Sequence, residues 1–82
     1  MTADEIRRKV LSLLGEIAPE ADLTAIRSDR DLRPQVDIDS FDLLRLMVRL
    51  HETFGVDVPE ADYQRMRTLD DAVAYLAARQ RP

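Results

Sequence analysis

The sequence predicts an all-α fold with three substantial helices, a short helical stub and one long loop. Three segments carry apolar residues at the i, i+3, i+4, i+7 spacing of a helix face. Each begins at a Thr or Asp that is followed three residues later by Glu or Asp, a pattern typical of a helix N-cap. The chain contains no paired alternating segments and no internal repeats. At 82 residues, we expect a single domain over residues 1–82 with one modest core.

The first predicted helix starts after Thr2 and ends near Ala18, just before Pro19. Thr2 and Glu5 have the spacing of a capping box. Its inward face is expected to consist of Ile6, Val10, Leu13, Leu14 and Ile17. The basic run over residues 7–9 faces the other way, so we interpret it as a solvated surface.

Residues 19–38 show no helical periodicity of apolar residues. They are rich in Asp and Arg and include Pro34. Such a long loop is unusual in a small domain unless it is functional or pinned down. Five apolar residues have the spacing to pin it: Leu23, Ile26, Leu32, Val36 and Ile38. We therefore expect a strap across the bundle, with at most a helical turn near residues 23–26.

The second main helix is predicted to run from Ser40 to Phe54 and to stop at Gly55. Asp39 is its expected N-cap, with Asp42 as capping-box partner, so the Ser40 hydroxyl should face solvent. Unpaired amides and the positive end of the helix dipole would favour a phosphate ester there. The neighbouring carboxylates disfavour free phosphate, but a covalent bond tolerates that repulsion. These four residues alone also fit an ordinary helix cap, and both interpretations stay open.

The apolar face of this helix is wider than a surface helix needs. Its centre is predicted to be core and comprises Leu43, Leu46, Met47, Leu50 and Phe54. On its flank, Phe41, Leu44 and Val48 lie at i, i+3 and i+7, just beyond Ser40. They are either outer core or a ridge on which a partner docks.

The last third of the chain predicts an extended connection, a stub and a final helix. Residues 56–59 form the extended connection. Residues 60–66 form the stub, which is long enough for barely two helical turns and has Tyr63 and Met66 as apolar residues. Thr68 caps the last helix, whose inward residues are expected to be Leu69, Ala72, Val73 and Leu76. Residues 79–82 are expected to fray outward.

Composition excludes several classes of function. The formal charge of −4, from 16 acidic and 12 basic residues, argues against nucleic acid as a partner. Only two Tyr and two Phe are present, so a base-stacking surface is also poorly supported. No apolar run approaches membrane-spanning length, and the absence of Cys fits a reducing compartment. We expect a soluble, cytoplasmic monomer.

The residues needed for catalysis are missing. His51 is the only histidine and lies about 16 Å along the helix from Ser40 at a rise of about 1.5 Å per residue. That distance is too long for a serine–histidine pair. The aspartates around Ser40 lack the turn glycine and the alternating ligands of a calcium loop. We therefore expect neither an enzyme nor a metal site.

The chain resembles the acyl carrier protein family of phosphopantetheine-binding domains. The resemblance rests on Asp39-Ser40-Phe41-Asp42 opening a mid-chain helix, on Val58-Pro59, and on the apolar spacing through Tyr75. It spans nearly the whole chain and implies a right-handed four-helix bundle with a short third helix and a long first loop. It also implies that a phosphopantetheinyl transferase esterifies Ser40 with the 4′-phosphopantetheine of coenzyme A.

The resemblance further implies the partners and residue roles. The arm would carry acyl groups as thioesters between acyl-loading and acyl-transfer or condensing enzymes, in fatty acid, lipid or polyketide biosynthesis. Asp39 would cap the helix and aid recognition by the transferase. The residues matching partner-contact positions are Phe41, Leu44, Arg45, Val48, Arg49, Glu52 and Met66, and a cargo cavity would be lined by Leu46, Val48, Met66 and Leu69. The alternatives are a peptidyl or aminoacyl carrier, or an unmodified helical interaction domain.

The chain departs from the family pattern at three points. Asp37 stands where a glycine is common, and Phe41 where a leucine is common. Arg45, Arg49 and His51 stand where acidic or small residues are often found, so the helix is formally neutral. Because a neutral face loses electrostatic steering toward basic enzyme patches, we expect a specialised carrier with dedicated partners.

Overall fold

The computed structural model describes residues 1–80 and shows an all-α architecture. Its helices are α1 (Ala3–Ile17), the short α2 (Leu32–Val36), α3 (Ser40–Phe54) and α4 (Leu69–Arg79), with 3-10 helices at Leu23–Ala25 and Glu60–Met66. The predicted fold class is confirmed, and the predicted stub is the 3-10 helix Glu60–Met66. Within residues 1–80 the only β-type pairing is an isolated bridge between Asp31 and Thr68.

The three main helices begin where their caps predicted. Thr2 and Glu5 form the capping box of α1, and the Thr68 side chain accepts from the Asp71 amide at the start of α4. The α3 helix ends at Gly55, which adopts the left-handed conformation (φ 69°) that glycine reaches without a steric penalty. Local sequence therefore sets the helix boundaries.

The core forms where α1 packs against both α3 and α4. It contains the predicted inward residues of α1 and α4 and most of those of α3. The assignment of Leu43 was wrong, and the burial of Tyr75 was not predicted. Leu43 is only half-buried against the core, whereas Tyr75 is buried at 4 % exposure. Tyr75 can be buried because its hydroxyl donates to Asp62 Oδ2 at 2.6 Å, which satisfies the one polar atom of the side chain.

The strap contains a helix that the sequence analysis did not predict. Residues 32–36 form α2, in which the Asp31 side chain accepts from the Arg33 amide. Pro34 is compatible with this helix because it lies in the first turn, where a missing N–H costs no intrahelical hydrogen bond. The turn near residues 23–26 is present as the 3-10 helix Leu23–Ala25.

The strap is pinned largely as predicted. Leu32, Val36 and Ile38 are buried, and Leu23 and Ile26 pack partly against the core. The backbone amide of Leu32 also donates to the carbonyl of Arg67 at 2.8 Å. These contacts hold the strap across the end of the bundle and fix the chain just before Ser40.

The expectation for the C-terminal residues was wrong at Arg79. This residue closes α4, and its guanidinium stacks over the Tyr75 ring at 3.6 Å from the ring centroid. A cation on an aromatic face is stabilised by the ring quadrupole, which holds the side chain against the bundle. Arg81 and Pro82, expected to fray, lie outside the described residues.

Candidate functional site

Ser40 is the first residue of α3 and is exposed, as predicted. The buried Ile38 and Leu46 anchor the chain on either side of it. Within residues 1–80 no hydrogen bond involves its hydroxyl. The hydroxyl therefore lies exposed at the N-terminus of α3, where a second macromolecule can reach it.

The cap around Ser40 has the predicted geometry. Asp39 Oδ1 accepts from the Asp42 amide at 2.9 Å, and Asp42 Oδ2 accepts from the Asp39 amide at 3.4 Å. No acceptor within residues 1–80 takes the amides of Ser40 and Phe41, which lie at the positive end of the α3 dipole. A phosphate ester on Ser40 would lie beside these free donors.

The only histidine of the chain, His51, is remote from Ser40 along α3. His51 lies in the last turn of α3, and its Nδ1 is 3.0 Å from Asp57 Oδ1. Among the described residues no group of three His, Cys, Asp or Glu side chains could hold a metal ion.

Phe41, Leu44 and Val48 form an exposed ridge along α3. Their exposed fractions are 78 %, 51 % and 52 %, so they are not outer core. Leu44 and Val48 also line a shallow groove of about 310 Å³ against Ile17 of α1. A row of exposed apolar side chains beside a reactive position is typical of a docking surface.

The charges beside this ridge are paired within the molecule. Arg49 Nη2 lies 3.1 Å from Glu16 Oε2 on α1, and its Nη1 lies 3.4 Å from Glu52 Oε1. The hydrogen bond that Arg49 donates to Glu16, followed by the one it donates to Glu52, raises the pKa of Arg49 above its usual value. Arg45 pairs with Asp42 at 3.3 Å. The sequence could not reveal Glu16 as a partner because it is 33 residues away from Arg49.

A cavity of about 320 Å³ opens between the strap, α3 and the 3-10 helix Glu60–Met66. Its lining residues are Asp31, Leu32, Arg33, Ile38, Leu43, Leu46, Tyr63, Gln64, Met66 and Arg67. Leu46 and Met66 therefore line this cavity, as predicted. Val48 is exposed elsewhere and Leu69 is buried at 2 %, so neither lines this cavity. Met66, at 5 % exposure, does not belong to the exposed ridge.

Comparisons with known proteins identify the family. The family model for the phosphopantetheine attachment site matches residues 4–76. The chain is 34% identical over 80 residues to the acyl carrier protein of Renibacterium salmoninarum, covering 94% of each chain. It is 31% identical over 80 residues to that of Lactobacillus johnsonii, covering 98% of this chain and 99% of the relative. The chain belongs to the acyl carrier protein family.

A solved structure of the acyl carrier protein from Enterococcus faecalis shares the fold. It matches with a TM-score of 0.78 at 19% identity and covers 95% of this chain and 98% of that one. Acyl carrier proteins are carriers rather than catalysts, and they bear 4′-phosphopantetheine covalently. The cofactor expected from the sequence is thus confirmed, as are a phosphopantetheinyl transferase and acyl-processing enzymes as partners.

The site fits this cofactor. An acyl carrier protein needs one accessible hydroxyl that no internal contact withholds, and Ser40 meets that requirement. The two free amides at the α3 N-terminus can donate to phosphate oxygens.

Among the described residues, no helix is both long enough and apolar enough to cross a membrane.

Proposed function

We propose that Ser40 carries the 4′-phosphopantetheine arm and that the chain transports acyl groups as thioesters in fatty acid, lipid or polyketide biosynthesis. The observation that supports this most directly is the position of Ser40: an exposed hydroxyl without a partner, held at the first position of α3 by a complete capping box. The bound arm supplies a thiol that forms the thioester.

In the attachment step, Ser40 Oγ forms a bond to the β-phosphorus of coenzyme A. The pyrophosphate bond breaks, adenosine 3′,5′-bisphosphate leaves, and the hydroxyl proton passes to a base on the transferase. The chain's own contribution is positional. Asp39 fixes the first turn of α3 through the Asp42 amide, so the orientation of Ser40 is set before the transferase binds.

Intact mass spectrometry tests the attachment site. The apo-protein is incubated with coenzyme A and a broad-specificity phosphopantetheinyl transferase. Wild type should gain the mass of one arm, and Ser40→Ala should gain none. Ser12→Ala is the matched control, because Ser12 is also exposed but lies in the interior of α1. Arm attachment to Ser40→Ala would refute the assignment, and an unmodified wild type would favour an unmodified interaction domain.

We further propose a specialised carrier that docks on dedicated enzymes through Phe41, Leu44 and Val48, flanked by Arg45, Arg49 and Glu52. The internal pairing of Arg49 with Glu16 and Glu52 supports this, because such a face offers little net charge to steer basic partner enzymes. Equal rates with this chain and with a housekeeping carrier, in a standard fatty acid synthase set, would contradict the proposal.

The remaining features of the proposed carrier are a single domain over residues 1–82, a monomeric state and a cytoplasmic location. Sedimentation velocity of the holo-protein tests the monomer. A peptidyl or aminoacyl carrier is the alternative within the wider class. Mass analysis of the group bound to protein purified from its native source separates it from an acyl carrier.

A further inference from the structure

Three residues with hydrogen-bond donors line the cavity between the strap and α3: Arg33, Tyr63 and Gln64. Their donors are a guanidinium, a hydroxyl and a side-chain amide. Within residues 1–80 none of these three groups makes a hydrogen bond or an ion pair through its side chain. The floor is apolar and consists of Leu32, Ile38, Leu43, Leu46 and Met66.

The charge around this cavity is positive although the chain carries a net charge of −4. Asp31 is the only acidic residue in the lining, and it is already engaged. Its Oδ2 accepts from Arg67 at 2.8 Å and 3.3 Å, and its Oδ1 accepts from the Arg33 amide at 3.2 Å. The Arg67 hydrogen bonds, followed by that from the Arg33 amide, lower the pKa of Asp31. The Asp31–Arg67 pair is therefore close to neutral, and Arg33 contributes the uncompensated charge.

The cavity lies within reach of the attachment position. Ile38 precedes Ser40 by two residues and Leu43 follows it by less than one helical turn, and both line the cavity. A volume of about 320 Å³ lies near the lower end of the range of roughly 300–1,000 Å³ found for small-molecule sites. A short acyl chain fits this space better than a long one.

We propose that this cavity binds short acyl chains that end in a carboxylate, with the methylenes on the apolar floor and the carboxylate at Arg33. The inference rests on the proposed function, since it takes the cargo to be an acyl group tethered at Ser40. A guanidinium donates charge-assisted hydrogen bonds to a carboxylate, and Tyr63 and Gln64 can donate to its remaining lone pairs. An alkyl end offers these donors no acceptor, so they would remain hydrated.

A matched pair of cargoes tests the proposal. A transferase that accepts acyl-coenzyme A loads the apo-protein with hexanoyl or adipoyl arms, which contain six carbons each and differ only in the terminal carboxylate. Intact mass verifies the loading. We expect the adipoyl form to melt about 4 °C above the hexanoyl form, a shift typical of one useful contact in a chain of this size. The NMR methyl signals of Leu43 and Met66 should shift more with adipoyl, and those of the exposed Leu44 should not.

Two arginine variants distinguish a specific contact of Arg33 from a general effect of positive charge on the strap. In Arg33→Gln the difference between the adipoyl and hexanoyl forms should fall below about 1 °C. Arg30→Gln is the control. This substitution removes the same charge from the same strap, but Arg30 does not line this cavity. The melting temperatures of both holo variants report whether either substitution disturbs folding.

The outcomes are distinct. A failure of wild type to gain an arm would overturn the proposed function, and this inference with it. Successful loading with equal melting temperatures for the two cargoes, or an equal loss in Arg33→Gln and Arg30→Gln, would overturn the carboxylate inference alone. A larger stabilisation by hexanoyl would assign the cavity to alkyl chains.

Discussion

At the scale of single residues, Asp37 has an unfavourable backbone conformation. It follows α2 with φ 52° and ψ 52°, in the left-handed region, and is the only residue other than glycine with positive φ among the described residues. That conformation costs an L-residue about 1–2 kcal/mol, with Asp among the better tolerated. The glycine common at this position in the family thus has a physical reason. Asp37 is exposed and its side chain makes no hydrogen bond within residues 1–80.

Asp37→Gly should raise the free energy of unfolding by about 0.5–1 kcal/mol, because relief of the strained backbone exceeds the entropy that glycine adds to the unfolded chain. Chemical denaturation measures the change. Asp37→Ala is the control, since it removes the same carboxylate but keeps a Cβ atom. An equal gain in Asp37→Ala would assign the effect to charge repulsion near Asp39 and Asp42.

Tyr75 is a second residue whose role depends on its surroundings. Burial, followed by the hydrogen bond to Asp62, raises the pKa of its hydroxyl above the usual value. A raised folded-state pKa means that the folded chain keeps its proton at pH values where the unfolded chain has lost it. Stability from this group is therefore complete below about pH 10, the unfolded pKa, and is lost as pH rises through the folded-state pKa.

Tyr75→Phe should lower the free energy of unfolding by about 1 kcal/mol at pH 7 through loss of the Asp62 hydrogen bond. The variant should also lose less stability than wild type as pH rises above about 10. Denaturant melts from pH 7 to 11 measure both effects. Tyr63→Phe should change stability at pH 7 by less than about 0.5 kcal/mol, because the Tyr63 hydroxyl has no partner within residues 1–80.

At the scale of elements, the strap is ordered by one side chain as well as by its apolar anchors. Gln35 Oε1 accepts from the Arg27 amide at 2.6 Å. Its Nε2 lies 3.0, 3.2 and 3.1 Å from the carbonyl oxygens of Arg27, Arg30 and Asp31. An amide side chain can serve both donors and acceptors of an irregular backbone, so Gln35 replaces the missing helical hydrogen bonds.

Gln35→Leu should lower the free energy of unfolding by about 1–2 kcal/mol, since it leaves strap backbone groups without their partner. It should also speed amide hydrogen exchange at residues 27–31 more than in α1. Gln64→Leu is the control, because the Gln64 amide makes no hydrogen bond within residues 1–80. Unchanged exchange in the strap would show that the apolar anchors alone order it.

At the scale of the whole molecule, the described residues form a packed interior and a charged exterior. Ion pairs tie the elements together at the surface: Arg7 with Asp70, Arg49 with Glu16, and Arg67 with Asp31. Each is at least partly solvent-exposed, so each contributes little to stability.

Leu44→Gln should reduce kcat/KM for transfer of the arm to Ser40 by about tenfold, because an exposed apolar contact near the attachment residue is removed. Its melting temperature should stay close to that of wild type, since exposed substitutions rarely change stability. Ala77→Gln is the control on the exposed face of α4. Equal effects of the two substitutions on kcat/KM would exclude a specific role for the ridge.

The three main helices and the exposed position of Ser40 could be predicted from the sequence because local interactions decide them, whereas the family and the attachment role of Ser40 came from the resemblance. Caps at Thr2, Asp39 and Thr68 act within three residues along the chain, and helical periodicity specifies which side chains face inward. The exposure of Ser40 follows from its place in the first turn of α3.

Tertiary structure alone decided which distant segments of the chain meet. The burial of Tyr75, the pairing of Arg49 with Glu16 and the meeting of Arg33 with Tyr63 at one cavity all join residues distant in sequence. α2 was missed because the tolerance for Pro34 depends on where the helix starts. Sequence periodicity reports one element at a time, whereas a cavity and its charge arise only when several elements pack together.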